Sequence, residues 1–206
     1  KKKGNKKFLK PVENLLKNIS SRGIYDQLEG GIARYTVDEK WIIPHFEKML
    51  YDNILYINLL NSYLQKEKSD YLKSKLIQTL NFINSEFKSE NNLLGSAYDA
   101  DSEGVEGKYY VWKYDELENL LKDKLTIFKK KYLITSEGNF EGANILIEKK
   151  DQKFSEQEKI ILKEAENLLL NLRKKRIKPF FDNKVQTDLN CYWLYSNLHS
   201  SLLLEN

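Results

Sequence analysis

Cysteine, histidine, proline and glycine are all scarce in this chain, and each shortage excludes a kind of structure or site. Cys191 is the only cysteine in 206 residues, which excludes an internal disulfide, a four-cysteine zinc site and a CxxC redox site within this chain. The two histidines, His45 and His199, do not fit the H-E-x-x-H zinc pattern. Only 3 prolines and 9 glycines occur, which favours long helices.

Long apolar runs and an excess of one charge are missing as well. No stretch reaches the roughly 18 apolar residues of a membrane-spanning helix, and residues 1–10, KKKGNKKFLK, lack the apolar core of a signal peptide. The 34 Lys and Arg against 30 Asp and Glu are spread along the chain, which argues against nucleic-acid binding. We therefore expect no membrane or nucleic-acid partner, a cytoplasmic location, and a basic tail or linker at residues 1–10.

The apolar residues that remain have helical spacing. They predict a mainly α fold with helices over residues 11–21, 44–66, 70–87, 114–121, 126–132, 155–174 and 188–203. Ser155 and Glu158 have the spacing of a capping box, which predicts the start of the sixth helix. Residues 94–112 contain Gly95, Gly104 and Gly107, and we expect them to form a loop with a short hairpin, to which KYYVW contributes strand composition.

The densest group of titratable and aromatic residues is RYTVDEKWIIPHFEKMLYDN, residues 34–53. If a helix begins at Pro44, then His45, Lys48 and Asp52 share one face. His45 would lie at the positive end of the helix dipole, which favours the neutral imidazole that a general base requires. In the alternative, His45 only bonds a neighbouring loop, and Lys48 and Asp52 form an ordinary i,i+4 pair.

A second group of carboxylates lies in DADSEGVEG, residues 99–107. Its alternating acids fit a calcium loop poorly, since the twelfth position is Tyr110 instead of a glutamate. Clustered carboxylates can hold one proton between them and supply a general acid for glycosidic chemistry. In the alternative, these side chains bind only the N–H groups of their own turns. No P-loop, G-x-G-x-x-G or G-x-S-x-G pattern occurs, so nucleotide-dependent transfer and serine hydrolysis have no support.

Four motifs together resemble one family. GIYDQLEGGIARYTVDEKWIIPHFEKMLYDN, AYDADSEGVEGKYYVW, GNFEGANIL and KPFFDNK occur in the order and spacing of the YyaL-like proteins, the family of spermatogenesis-associated, thioredoxin-domain-containing proteins. The resemblance covers nearly the whole chain. It implies a thioredoxin-like domain followed by an (α/α)6 toroid similar to six-hairpin glycosidases and to the N-acylglucosamine 2-epimerase group.

On that resemblance the chain would be a fragment without the thioredoxin-like domain. Residues 1–206 would form a single incomplete (α/α) toroid, because seven or so helices cannot close a ring of twelve. The open edge of such a ring would expose apolar inner helices. Self-association through that edge is therefore expected.

The resemblance also implies a sugar ligand, no cofactor, and chemistry of the glycoside hydrolase or sugar epimerase type. The expected catalytic residues are Asp99 or Asp101 as the acid and His45 or Glu47 as the base. The other residues carried over are expected to bind substrate: Arg34, Tyr35, Asp38, Trp41, Lys48, Glu103 and Glu106. The alternative is a non-catalytic structural or interaction module that supports a thioredoxin-like partner domain.

Two departures from the family pattern lie within these motifs. Ile32 and Ala33 stand where the family reads G-G-F-H-R-Y, which removes one candidate acid/base histidine. Leu189, Asn190 and Cys191 replace W-N-G, which removes a cavity tryptophan. We therefore expect any catalysis to be weakened in this chain.

Overall fold

Seven α-helices form the framework of this protein, in a computed structural model that describes residues 6–205. They are α1 (Leu9–Ser21), α2 (Leu50–Leu64), α3 (Asp70–Glu86), α4 (Tyr114–Leu121), α5 (Leu125–Lys131), α6 (Glu156–Arg173) and α7 (Thr187–Leu204). The mainly α prediction is confirmed. Half of the expected N-terminal tail, residues 1–5, lies outside the described residues, while Lys6–Phe8 forms a 3₁₀ turn that leads into α1.

The loops between the helices pair with one another through seven short antiparallel strands. β1 (Tyr35–Thr36) pairs with β2 (Pro44–His45), and β5 (Asp101–Ser102) pairs with β6 (Val105–Glu106). β4 (Ala97–Tyr98) lies between β3 (Lys48–Met49) and β7 (Phe181–Asp182). Three of the quoted motifs therefore meet in one small sheet and its flanking hairpins.

The prediction that the second helix begins at Pro44 is wrong, because the helix begins six residues later. Residues 44–49 are largely extended, and α2 begins at Leu50, whose N–H donates to the Ser96 carbonyl at 2.9 Å. The reason is tertiary pairing: Pro44 lies opposite Thr36, and Lys48 lies opposite Tyr98. These long-range strand contacts override local helical spacing. His45, Lys48 and Asp52 consequently do not share a helix face, and His45 lies in β2 instead of at a helix N-terminus.

The hairpin of the glycine-rich segment also lies earlier than the composition suggested. It spans residues 101–106, whereas KYYVW forms turns in which the N–H groups of Tyr110 and Val111 both donate to the Gly107 carbonyl. Trp112 is fully buried and its backbone bonds to Asn144. The aromatic residues of this segment thus pack in the core and do not form a strand of the hairpin.

Other helix boundaries follow the sequence closely. α4 has the predicted bounds, and α1, α3, α5, α6 and α7 lie within two residues of theirs at each end. The capping box is present: Ser155 accepts from the Glu158 N–H, and Glu158 accepts from the Ser155 N–H at 2.8 Å. The apolar spacing and the capping residues in the sequence therefore predict these helix boundaries correctly.

Two apolar cores hold the helices. The first lies among α1, α2, α3 and α7, with Leu50, Ile57 and Leu60 of α2 fully buried. The second lies among α4, α5 and α6 and centres on Trp112 and Phe128. Over residues 6–205, none of the helices combines the length and the apolar character that crossing a membrane requires.

Candidate functional site

The β1–β2 pair places Tyr35 directly against His45. The two residues are opposite each other in the strand register, and their rings stack with centroids 4.9 Å apart and planes inclined by 21°. Tyr35 is 49% exposed. The outer surface of this aromatic pair is therefore open to a ligand.

His45 lies between two carboxylates. Its Nδ1 is 2.8 Å from Glu106 Oε1, and its Nε2 is 3.9 Å from Glu47 Oε2. A carboxylate only accepts hydrogen bonds, so Glu106 holds the proton of a neutral imidazole on Nδ1 and leaves Nε2 with a free lone pair. Glu47 in turn accepts a hydrogen bond from Arg34 Nη1 at 3.0 Å. This arrangement can accept a proton at Nε2.

Asp52 lies within electrostatic reach of Glu47 and Arg34, although it is not among the catalytic or binding residues expected from the sequence. Burial, reinforced by the charge of Glu47 and opposed by Arg34, raises the pKa of Asp52 to about 6. Its Oδ2 atom is buried without a hydrogen bond from any described residue. A carboxyl with this pKa can hold a proton near neutral pH and release it. Helical spacing had instead paired Asp52 with Lys48, because it assumed one continuous helix.

A groove of about 540 Å³ extends from this group along the β5–β6 hairpin. Glu106 belongs to both, since it bonds His45 and also lines the groove with Glu103 and Arg176. Lys108 forms an ion pair of 2.9 Å with Glu103. The volume lies within the roughly 300 to 1,000 Å³ of small-molecule sites.

Lys48 is not part of this exposed group. Its side chain is buried, and its Nζ donates to Asp26 Oδ2 at 2.8 Å and to the Gly30 carbonyl at 3.1 Å. The prediction of an ion pair with Asp52 on one helix face is therefore wrong. β3 directs Lys48 inward, because alternate residues of an extended segment point to opposite sides.

Asp26 joins Lys48 to α6. Arg173 donates two parallel hydrogen bonds to the Asp26 carboxylate, at 2.9 and 2.8 Å, and one to Glu29 at 3.2 Å. Burial opposes ionisation of Asp26, but the charges of Arg173 and Lys48 hold its pKa well below the usual range. No local pattern predicts this buried network, because Arg173 lies 147 residues from Asp26 along the chain.

Asp38 and Trp41 have local roles away from His45. Asp38 accepts from the N–H groups of Lys40, Ile42 and Ile43 at 2.7 to 2.9 Å, which fixes the loop between β1 and β2. Trp41 has a φ of 59° and lines a separate groove along α1. The structure does not bring these two side chains to the His45 group.

The three carboxylates of residues 99–103 have different surroundings. Asp99 accepts from the Ala100 N–H at 2.6 Å, Glu103 pairs with Lys108, and the exposed Asp101 lies opposite Glu106 in the hairpin register. Within residues 6–205, no group of three or more His, Cys, Asp or Glu side chains is placed to hold a metal ion. Asp99 thus matches the turn-binding alternative.

The two departures from the family pattern lie in packed surroundings. Ala33 is 4% exposed and lines a cavity of about 30 Å³ beside Asp26 and Lys48. That space holds about one water molecule, so a larger side chain at position 33 would point toward the buried network. Leu189 packs against the first core.

Comparison with known proteins finds proteins that are similar to this chain. No family model matches the chain. Spermatogenesis-associated protein 20 of Homo sapiens is 28% identical over 204 aligned residues, which cover 82% of this chain, and the Mus musculus protein shows the same values. The chain is similar to spermatogenesis-associated protein 20. The family resemblance drawn from the four motifs is thereby confirmed.

These relatives are much longer than this chain. The alignment covers 26% of the length of the human and mouse proteins. An uncharacterized protein of Caenorhabditis elegans is 30% identical over 122 residues, which cover 55% of this chain and 17% of that protein. The chain therefore spans about a quarter of the length of the mammalian relatives.

Proposed function

We propose that this domain performs acid–base chemistry on a sugar, of the glycoside hydrolase or sugar epimerase type. The observation that carries the proposal is the contact of 2.8 Å between His45 Nδ1 and Glu106 Oε1. Asp52, whose charge interacts with those of Glu47 and Arg34, has a pKa of about 6. A histidine oriented by a carboxylate and a second group that titrates near neutral pH are the two components of proton transfer. The groove beside them has the size for a small substrate.

In this proposal His45 Nε2 accepts the proton, and Glu106 holds the imidazole in the required tautomer. Asp52 supplies the proton, because burial raises its pKa to about 6. It replaces Asp99 and Asp101 in that role, since Asp99 is already bonded to its own turn. Glu47 and Arg34 position His45 from the other side.

The exposed Tyr35 ring supplies the binding surface for the sugar. Its stacking on His45 fixes its orientation, so little conformational entropy is lost on binding. The apolar C–H face of a sugar ring can lie on such an aromatic face, while charged groups of the groove bind its hydroxyls.

The test is a calorimetric and turnover screen of the chain against mono- and disaccharides. His45→Ala and Asp52→Asn are expected to abolish turnover, whereas Tyr35→Ala is expected to raise KM. Glu39→Gln, an exposed carboxyl on the loop after β1, is the matched control and should leave both unchanged. If no sugar binds to the wild-type protein, the proposal fails.

We also propose, as a second candidate, a structural module within a longer protein that supports a thioredoxin-like domain. The buried Asp26–Lys48–Arg173 network favours it, since the motif residues Asp26 and Lys48 hold distant parts of the fold together. In this view the seven helices are part of an (α/α) toroid of six-hairpin type in a reducing, cytoplasmic-type compartment. The exposed apolar residues of α7, Leu194, Leu198 and Leu202, would then contact further helices or a second copy.

The two candidates differ in what His45→Ala does. In the structural module the variant lowers the melting temperature, because Glu106 loses its partner. In the enzyme it removes turnover while the melting temperature stays close to that of the wild type, because His45 lies in an exposed group. Measuring both quantities on the same preparation separates the candidates.

A further inference from the structure

A cavity of about 900 Å³ lies between α1, α3 and the segment 148–154. It shares no lining residue with the groove beside β5–β6. Its volume is at the upper end of the roughly 300 to 1,000 Å³ of small-molecule sites. We call it the α1–α3 cavity. Among the residues that line it, only Gln27 belongs to the motifs quoted for the family resemblance.

The floor of the α1–α3 cavity is a buried ionic group. Lys75 Nζ donates to Gln27 Oε1 at 2.7 Å and to Glu148 Oε1 at 3.1 Å, and Tyr71 donates to Glu148 Oε2 at 2.7 Å. Burial lowers the pKa of Lys75. A buried ion pair adds little stability over apolar residues of the same size. A polar floor beneath an open cavity suits a polar ligand better than an apolar one.

The wall of the cavity offers groups that suit hydroxyls. Asn14 and Asn18 line it from α1, and Gln152 lines it from the opposite segment. The Asn14 side chain makes no hydrogen bond to the described residues, and Asn18 uses only its Nδ2, in a bond to the Asn14 carbonyl. Amide groups both donate and accept, as hydroxyls do. These side chains can bind a ligand that carries several hydroxyl groups.

The charge around the cavity favours an anion. Five lysines line it against three acidic residues, and two of those acids, Glu148 and Glu166, are already paired with Lys75 and Lys131. Asp151 is the acid that remains among the lining residues. The other three lysines, Lys17, Lys149 and Lys150, are exposed. Lys17 forms an ion pair with Glu13 and Lys149 Nζ donates to the Lys129 carbonyl at 2.8 Å, so Lys149 and Lys150 carry the charge that no carboxylate of the described residues pairs with. A positive rim attracts negatively charged ligands and excludes cationic ones.

We propose that the α1–α3 cavity binds a small anionic polyhydroxylated molecule, either a sugar phosphate or a sugar acid. The anionic group lies at the rim with Lys149 and Lys150, and the hydroxyls contact Asn14, Asn18 and Gln152. This site is separate from the His45 group and does not depend on the function proposed for it.

Isothermal titration calorimetry on the 206-residue chain tests the proposal with glucose 6-phosphate, gluconate, glucose and inorganic phosphate. We expect at least one of the two anionic sugars to bind at one site per chain, and glucose and inorganic phosphate each to bind at least about tenfold more weakly. The affinity should fall as NaCl rises from about 50 to about 300 mM, because the charges are exposed. If neither anionic sugar binds, or if inorganic phosphate binds as tightly as they do, the proposal is wrong.

Variants place the ligand in the cavity. Lys149→Gln/Lys150→Gln should weaken binding at least about tenfold, while Lys73→Gln/Lys163→Gln, with the same change of charge on exposed lysines outside the cavity, should leave it unchanged. Asn14→Ala should weaken sugar binding without lowering the melting temperature, and His45→Ala should have no effect on it. Equal weakening in the two lysine double variants would overturn the assignment to this cavity.

Discussion

Lys48 and Asp26 form a buried ion pair, with Nζ 2.8 Å from Oδ2 and side chains only 4% and 6% exposed. The pair joins β3 to the turn before β1, and Arg173 joins the same carboxylate to α6. Lys48 Nζ also lies 4.2 Å from the centre of the Phe82 ring on α3. One lysine in the sequence motif thereby holds three distant parts of the chain together.

Lys48→Met is expected to destabilise the protein by about 3 kcal/mol, because Asp26 stays buried and loses one of its two cationic partners. Chemical denaturation measures the change in the free energy of unfolding. The control is Lys159→Met, which removes an exposed pair with Glu156 and should cost less than about 1 kcal/mol. Equal effects of the two variants would mean that the buried pair has no special weight.

Ser155→Ala is expected to lower the free energy of unfolding by about 1 kcal/mol, since the first turn of α6 loses the acceptor for the Glu158 N–H. Ser155→Asp keeps an acceptor at the same position and should restore most of the loss. Denaturation of the three proteins under one condition provides the comparison. A serine-to-aspartate variant as unstable as the alanine variant would argue against the cap.

The sequence predicted the fold best where structure depends on neighbouring residues. The helices after residue 69 and the Ser155 cap follow from local spacing and were placed within two residues. The stretch before α2 was not, because residues 44–49 bond to β1 and β4, which no local pattern reveals. The toroid expected from the family resemblance remains a proposal.

The candidate site was predictable in composition but not in arrangement. Arg34, Tyr35, His45, Glu47 and Glu106 were selected from their motifs, and the structure brings them together. Lys48 and Asp38 were selected for the same reason, yet their side chains serve the buried network and a loop. Asp52 was overlooked as an acid because its pKa depends on burial, which a sequence does not show.

Gly107→Ala is expected to destabilise the protein more than Gly104→Ala does. Both glycines have a φ of 73°, so each substitution costs roughly 1 to 2 kcal/mol from the backbone alone. A Cβ at Gly107 would lie 2.5 Å from the Phe46 ring, whereas one at Gly104 meets nothing within 4 Å. The clash adds about 1 to 3 kcal/mol. Equal unfolding midpoints for the two variants would contradict this packing.

Asp52→Asn is expected to change how stability depends on pH. The pKa of Asp52 rises from 3.8 to about 6 on folding, so the folded protein binds more protons than the unfolded chain between these values. Stability from this group is therefore greatest below 3.8 and is lost as pH rises through about 6. The asparagine variant lacks that loss.

Melting temperatures of the wild type and of Asp52→Asn, measured from about pH 4 to about pH 8, should show this difference in pH dependence. Relative to the wild type, Asp52→Asn should become more stable as pH rises through about 6, with a small effect because the carboxyl is only half buried. Asp101→Asn, an exposed carboxyl in the hairpin, is the control and should leave the profile unchanged. A constant difference between Asp52→Asn and the wild type at every pH would show that Asp52 does not titrate in this range, and would remove the acid from the proposed chemistry.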